Sequence, residues 1–333
     1  MNDVPDHGGA LAWAAQTFGI AREQWLDLST GITPFPYPLP EVADGCFYHL
    51  PDAALEQRLY AAAAEYYGVS DAERIAGVPG SQAAIQWLPR LFATTCVAIL
   101  TPTYSEHARS WRHAGHTVCE CTDLDTIPEE ARVIVLANPN NPDGRQFDPQ
   151  SLLRHTATRS VIVDEAFADV VPELSLAAHA GRSNLIILRS VGKFFGLAGL
   201  RLGFVLAPAD MALAMRRAVG PWAVSGPAAA IGTVALADRA WATAAQERLR
   251  QASKRLDAAL AQAGITIVGG TPLFRLVSHA DASRLFDHLA RKGILVRAFA
   301  DRPTWLRFGI PGHERNIDRL TSALHERQRQ SAD

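Results

Sequence analysis

The sequence predicts an α/β protein: a mostly parallel central sheet flanked by helices, with a smaller α+β domain toward the C-terminus and an extended N-terminal arm. Three observations predict it. Short, continuous apolar runs recur between helical stretches: "CVAIL", "RVIVLAN", "SVIVDEA", "LIILRS" and "FVLAP". Strands of this kind are buried on both faces, as in a parallel sheet covered by helices. After "GPWAVSGP" the pattern changes to an Ala/Arg/Gln-rich helix followed by "GITIVGG", "PLFRLV", "GILVRAF" and "TWLRFGI". The first 45 residues are rich in proline and turn residues, as in "LDLSTGITPFPYPLPEVADG".

Residues 1–45 form the arm, because proline removes backbone donors and restricts the residue before it. Residues 46–226 form the large domain, beginning with the helical "DAALEQRLYAAAAEYYG". "GVPGSQAAIQWL" reads as a turn that opens a helix at Ser81 and Gln82. In "HARSWRHAGHTVCEC", Gly115 ends a helix and "HTVCEC" is a strand. His113, His116, Cys119 and Cys121 are zinc-ligand types, but their spacing does not match a CxxC knuckle. Solvated histidines and half-buried cysteines are the better reading, and no metal is expected. Residues 227–333 form the C-terminal domain: one long helix over roughly 227–263, then strands and two helices near 281–291 and 313–328.

Composition narrows the class. With 32 Lys+Arg against 34 Asp+Glu, the net charge of -2 gives no reason to expect nucleic acid or an anionic membrane as partner. No apolar run approaches the ~20 residues that span a bilayer. The start lacks the basic and apolar regions of a signal peptide, so a cytoplasmic location is expected. Four cysteines, unevenly spaced, do not make a disulfide framework.

Ligands of parallel sheets bind beyond the carboxyl ends of the strands. Those ends carry "TPTYSEH", "NPNNPDG", "DEAF" and "SVGK". In "RSVGKFFGLAGLRLGF" a single lysine, Lys193, sits among apolar residues. Burial brings an amine's pKa down from about 10.4 towards neutrality. A neutral amine forms a Schiff base with an aldehyde; a packed stem with its head in water is the other reading. Ser190 and Arg201 suit a phosphate, the arginine through its bidentate fork. The helix start at Ser81 and Gln82 offers N–H groups to an anion. Asp164, at a strand's end, can hold a ring nitrogen protonated. Asn141 offers a donor in a turn, and Tyr104 an aromatic plane. A flat, phosphorylated, aldehyde-bearing pyridine uses every one of these groups, and pyridoxal phosphate is that molecule.

In this order, "GSQ", "PTY", "NPNNPDG", "VDEAF", "SVGKFFGLAGLRLGF" and "WLRFGI" resemble the fold-type I pyridoxal-phosphate superfamily, the aspartate aminotransferase-like fold, over nearly the whole chain. The resemblance implies pyridoxal 5'-phosphate as cofactor and Lys193 as its Schiff-base lysine. It implies Asp164 on the pyridine nitrogen, Asn141 on the phenolic oxygen and Tyr104 stacked on the ring. Ser81, Gln82, Ser190 and Arg201 would hold the phosphate. Arg307 matches the arginine that takes the substrate α-carboxylate. A homodimer with its site at the subunit interface is implied as well. The chain departs from many relatives in having Phe167 for Tyr. It also has Leu50 where they place a Tyr before "PD", with Tyr48 two residues earlier.

"DHGG", "FGI", "LDLSTGITPFPYP" and "DEAF" together resemble the threonine-phosphate decarboxylases of cobalamin biosynthesis, relatives of histidinol-phosphate aminotransferases. The implied reaction is loss of CO₂ from O-phospho-L-threonine, a small phosphorylated amino acid, giving (R)-1-amino-2-propanol phosphate. Lys193, Asp164 and Tyr104 would be catalytic. Arg307, Asn141, His7 and Thr33 would contact substrate, the last two at its phosphate; Thr33 stands in "ITP" where those relatives have "INP". An aminotransferase acting on histidinol phosphate or a similar phosphorylated amine would use the same cofactor residues. A non-catalytic pyridoxal-phosphate-binding regulator is a third reading. Such regulators append a helix-turn-helix domain, for which the arm leaves no room.

Overall fold

The computed structural model describes Pro5 and residues 7–330, the last three of these in backbone only. Its strands are β1 (Leu26–Leu28), β2 (Ile75–Val78), β3 (Cys96–Leu100), β4 (Thr117–Cys121), β5 (Ala131–Ala137), β6 (Ser160–Asp164), β7 (Leu185–Ser190), β8 (Gly203–Leu206), β9 (Thr266–Thr271), β10 (Phe274–Ser278), β11 (Ile294–Ala298) and β12 (Trp305–Gly309). The chain forms two compact units. One comprises Pro36–Asn141 and Arg145–Thr243; the other has the residues up to Phe35, 142–144 and those from Ala244 onward.

The first unit holds a seven-stranded sheet in the order β2-β8-β7-β6-β5-β3-β4. The run β4-β3-β5-β6-β7 is parallel, and β8 is reversed between β7 and β2. The expected α/β layer is therefore present, with β8 turned against its neighbours. All six residues of β7 are buried, as are all four of β2 and β8. Each buried Val, Leu or Ile in these strands contributes roughly 1.5–3 kcal/mol. Because β8 is reversed, its first residue lies at the sheet edge where its neighbours end. Gly203 pairs with Val78 on one side and Ser190 on the other. The ends of β2, β3, β5, β6 and β7 and the start of β8 thus share one edge.

The second unit holds a five-stranded sheet, β1-β11-β12-β10-β9. Its edge strand comes from the N-terminal segment: β1 pairs in parallel with β11, Leu26 opposite Ile294. The expected arm is thus not extended throughout. "LAWAAQTF" forms a helix, Leu11–Phe18, ended by Gly19 in the left-handed region at φ 68. A second difference concerns the long helix expected over 227–263. It is two helices, Gly226–Ala237 and Arg239–Gln262. Asp238 leaves helical geometry at φ -86, ψ 78, and its carboxylate accepts from the Trp241 N–H at 2.9 Å. An aspartate that caps a new helix start competes with helix continuation.

Candidate active site

Asp164 ends β6 and is 7% exposed. Its Oδ1 accepts from the Ala166 N–H at 3.0 Å, and its Oδ2 pairs with His107 Nε2 at 3.1 Å. His107 is 2% exposed and went unassigned in the sequence. Its signal is its place three residues after Tyr104, in the first turn of the helix Glu106–His113. The Tyr104 and His107 rings meet edge to face at 6.0 Å.

Lys193 lies in the turn after β7, three residues beyond Ser190, and is half-buried. Its Nζ lies 6.0 Å from the centre of the buried Phe167 ring. An apolar face beside an amine disfavours its charged form through desolvation, although the ring's own quadrupole attracts a cation.

Ser81, Gln82, Ser190 and Arg201 gather where β2, β7 and β8 meet. Ser81 and Gln82 begin the helix Ser81–Trp87 behind Gly80, whose φ is 80. A Cβ on Gly80 would lie 2.6 Å from Arg201 Nη2, and one on Gly203 would lie 2.5 Å from the Ser81 nitrogen. Both glycines therefore let the arginine and the helix start close together. Arg201 is held in the left-handed region, φ 55, and donates to the Ala198 carbonyl at 3.0 Å. Ser190 Oγ accepts from the Gly192 N–H at 3.1 Å. Asn141 sits half-buried at the end of the turn after β5. Its neighbours fix that turn: Asn138 exchanges hydrogen bonds with the Phe147 backbone, and Asn140 donates to the Pro102 carbonyl at 2.7 Å. Lys193, Asp164, Tyr104, Ser81, Gln82, Asn141, Ser190 and Arg201 thus all fall at one edge of one sheet.

Behind that edge lies a buried ion set. Arg189, immediately before Ser190, donates to Glu165 at 2.8 Å and to Asp169 at 2.5 Å; all three are at most 3% exposed. Burial pushes both carboxyls above their ordinary values against the pull of Arg189. Burial pulls Arg189 down, but Asp169 and Glu165 more than offset it and hold it above its ordinary value.

In the other unit Arg307, on β12, is 7% exposed and donates to the Ser29 carbonyl at 3.0 Å. Its guanidinium lies 5.2 Å from the centre of the Phe274 ring. Arg297 on β11 stands directly opposite it in register. Burial, then the facing Arg297, push the Arg307 guanidinium down to about 9, with Asp27 pulling the other way. Arg297 went unassigned, since only the register of "ILVRA" against "WLRFG" sets the two cations together. Arg297 and the exposed His7 line a shallow recess with Gly8 and Ser29. Thr33 is buried, and its Oγ1 accepts from the Phe35 N–H at 3.2 Å.

Both ring nitrogens of His116 are engaged, with the Pro89 carbonyl at 2.8 Å and the Thr95 N–H at 3.2 Å. Cys96 and Cys119 pack sulfur to sulfur at 3.3 Å. Among the described residues, no group of three or more His, Cys, Asp or Glu side chains is arranged to hold a metal ion.

A family model, "Aminotransferase class I and II", matches residues 41–324. The chain belongs to this aminotransferase family. It is 44% identical to a threonine-phosphate decarboxylase of Pseudomonas aeruginosa over 96% of this chain and 97% of that one. It is 45% identical to a threonine-phosphate decarboxylase of a Sinorhizobium species, with the same coverage. Among solved structures, the histidinol-phosphate aminotransferase of Sinorhizobium meliloti, in complex with pyridoxal-5'-phosphate, superposes with a TM-score of 0.81 at 21% identity. The match covers 98% of this chain and 95% of that one. At that identity the likeness speaks for the aminotransferase fold, which is the fold expected.

Proposed function

We propose that this chain is a pyridoxal-phosphate-dependent lyase that removes CO₂ from O-phospho-L-threonine. The product is (R)-1-amino-2-propanol phosphate, for cobalamin biosynthesis. The observation that carries this reading is the full-length identity of 44–45% to two threonine-phosphate decarboxylases.

The residues fit the cofactor. A phosphate needs donors packed without intervening side chains, and Gly80 and Gly203 leave no room for a Cβ between Arg201 and the helix start at Ser81. A pyridine nitrogen needs a buried carboxylate, and Asp164 is one, held by His107. Bound there, the cofactor supplies an aldehyde to capture the substrate amine and an electron-withdrawing ring to take up the electron pair left by CO₂.

The chain's own groups do the rest. Lys193 Nζ would hold the cofactor between turnovers and would return a proton to the substrate Cα. Asp164 keeps the ring nitrogen protonated. Tyr104 would cover the ring face, Asn141 would donate to the ring oxygen, and Ser81, Gln82, Ser190 and Arg201 would hold the phosphate. Phe167 offers no hydroxyl to that ring oxygen, so Asn141 alone of this pair donates to it. Arg307 takes the α-carboxylate, and its grip must slacken as the group becomes neutral CO₂. His7 and Thr33 serve the substrate phosphate, and Arg297 stands opposite Arg307 at the carboxylate.

No helix among the described residues is long and apolar enough to cross a membrane, and we place the enzyme in the cytoplasm. We also assign a homodimer. Phe47, Tyr48 and Leu50 are 64%, 80% and 65% exposed in one short segment, an apolar surface that a second copy would cover.

The test is purified protein with pyridoxal phosphate and O-phospho-L-threonine, scored for CO₂ and aminopropanol phosphate. Stoichiometric pyridoxamine phosphate, consumed again by 2-oxoglutarate, would instead make it an aminotransferase. A spectral change without product would leave a binding protein. Borohydride reduction of the holoenzyme should leave the cofactor on Lys193.

A further inference from the structure

Glu106 has no place in the reaction above, yet its carboxylate is 8% exposed and draws three donors. Gln82 Nε2 donates to its Oε2 at 3.3 Å and Gln86 Nε2 to the same atom at 3.2 Å. Arg109 Nη1 donates to its Oε1 at 2.6 Å. The other end of the Gln82 amide is also engaged, because its Oε1 accepts from Tyr104 Oη at 3.1 Å. The hydrogen bonds therefore run in one direction: Tyr104 hydroxyl to Gln82 oxygen, Gln82 nitrogen to Glu106.

A carboxylate can only accept. It draws the NH₂ of Gln82 to itself and so turns the carbonyl towards Tyr104. A neutral amide at position 106 would leave both orientations open. Gln82 is also the second residue of the helix that begins at Ser81. One side-chain amide thus links the start of that helix to the hydroxyl of the aromatic ring. With this side chain engaged within the protein, Gln82 has its backbone N–H to offer a phosphate.

We propose that Glu106 is a positioning residue that fixes the plane of Tyr104 through Gln82, tying ring stacking to the phosphate end of the cofactor site. The inference rests on the reading that Tyr104 covers the cofactor ring. A rival account makes Glu106 a helix-start anion paired with Arg109 on the same face, which has no need of Gln82.

A charge exchange separates the two. Gln82→Glu sets two carboxylates together and should weaken cofactor affinity about tenfold. It should also alter the circular dichroism of the bound cofactor's visible band, which reports ring orientation. Glu106→Gln lets the amide flip and should change the same band to a smaller extent. The double variant Gln82→Glu/Glu106→Gln restores one direction of hydrogen bonding. The carboxylate, now at position 82, accepts from both Tyr104 and the amide at 106. It should recover affinity to within about twofold of wild type, along with the band. Apoprotein melting is followed in parallel, and the proposal expects recovery in the double variant of the band as well as of stability.

Reductive trapping on Lys193 in the wild type is scored first. If trapping fails there, the cofactor reading falls and takes this inference with it. If trapping succeeds but Gln82→Glu leaves affinity and band unmoved, or the double variant is no better than the worse single one, this inference alone is overturned.

Discussion

The unit that carries Lys193 and the unit that carries Arg307 handle buried charge differently. In the first, opposite charges and donors come in sets: Arg189 with Glu165 and Asp169, Asp164 with His107, Glu106 with Arg109 and two glutamines. In the second, Arg297 and Arg307 face each other across paired strands, and Arg307 is pushed below its ordinary value. The contrast matches two tasks in the proposed function. A cofactor retained through many turnovers calls for groups whose orientation is fixed before it binds. A substrate anion must arrive and depart. Two cations held together gain from an anion between them, and lose that gain when its charge is lost as CO₂.

Breaking the first side of the comparison should have the largest effect. Asp164→Asn keeps the shape of the side chain and removes its charge. At saturating pyridoxal phosphate, kcat for CO₂ release should fall about a thousandfold, as when a preorganised electrostatic partner is lost. A fall of less than tenfold would remove Asp164 from the chemistry. Arg189→Met should follow, as a loss of stability. It leaves Glu165 and Asp169 buried without their shared cation, at a cost of about 3–5 kcal/mol in urea unfolding. Adding Glu165→Gln and Asp169→Asn should restore most of it, since then no uncompensated charge remains.

Arg307→Met should behave in the opposite sense. KM for O-phospho-L-threonine should rise about 10- to 100-fold through loss of a charge-assisted pair. The melting temperature should hold or rise, because one of two facing cations has left the interior. A variant that binds substrate normally, or unfolds as readily as Arg189→Met, would erase the distinction between the units.

The first unit was largely legible in the sequence because its signals are local. β3, β5, β6, β7 and β8 are unbroken apolar runs, and β3, β5, β6 and β7 each end at a motif whose residues share the ligand edge. β1 and β2 are three and four residues long, too short to stand out as strands in the sequence. Their pairing partners, β11 and β8, lie far away in sequence. The same limit hid Arg297, Glu106 and His107. Nothing beside Arg297 in sequence marks it, and only the β11–β12 register sets it opposite Arg307. Glu106 finds Gln82 and Gln86 more than a dozen residues earlier, and His107 finds Asp164 across the sheet edge. Asp238 is the converse case. Its cap was written locally in "LADRAW", but the surrounding alanines read as one continuous helix.

The smallest expected effect sharpens the comparison through pH. Burial and the facing Arg297 hold the Arg307 guanidinium down to about 9 in the folded chain, well below its ordinary value. Below about 9 both folded and unfolded chains carry this proton, and its burial is a constant penalty. Above about 9 the unfolded chain keeps a proton that the folded chain has shed, so stability rises with pH until the ordinary guanidinium range is reached. The wild type should therefore gain on Arg307→Met by roughly 1 kcal/mol between pH 8 and pH 10, measured as the difference between their unfolding free energies. All other titrations are common to both proteins and cancel in that difference. An anion seated against Arg307 keeps it protonated and should abolish the gain. Repeating the measurement with saturating O-phospho-L-threonine on holoenzyme carrying Asp164→Asn, where turnover is slow, should give a flat difference. A gain that persists with the ligand bound would mean that the carboxylate is held elsewhere, and that the facing arginines are a cost of the fold without a use.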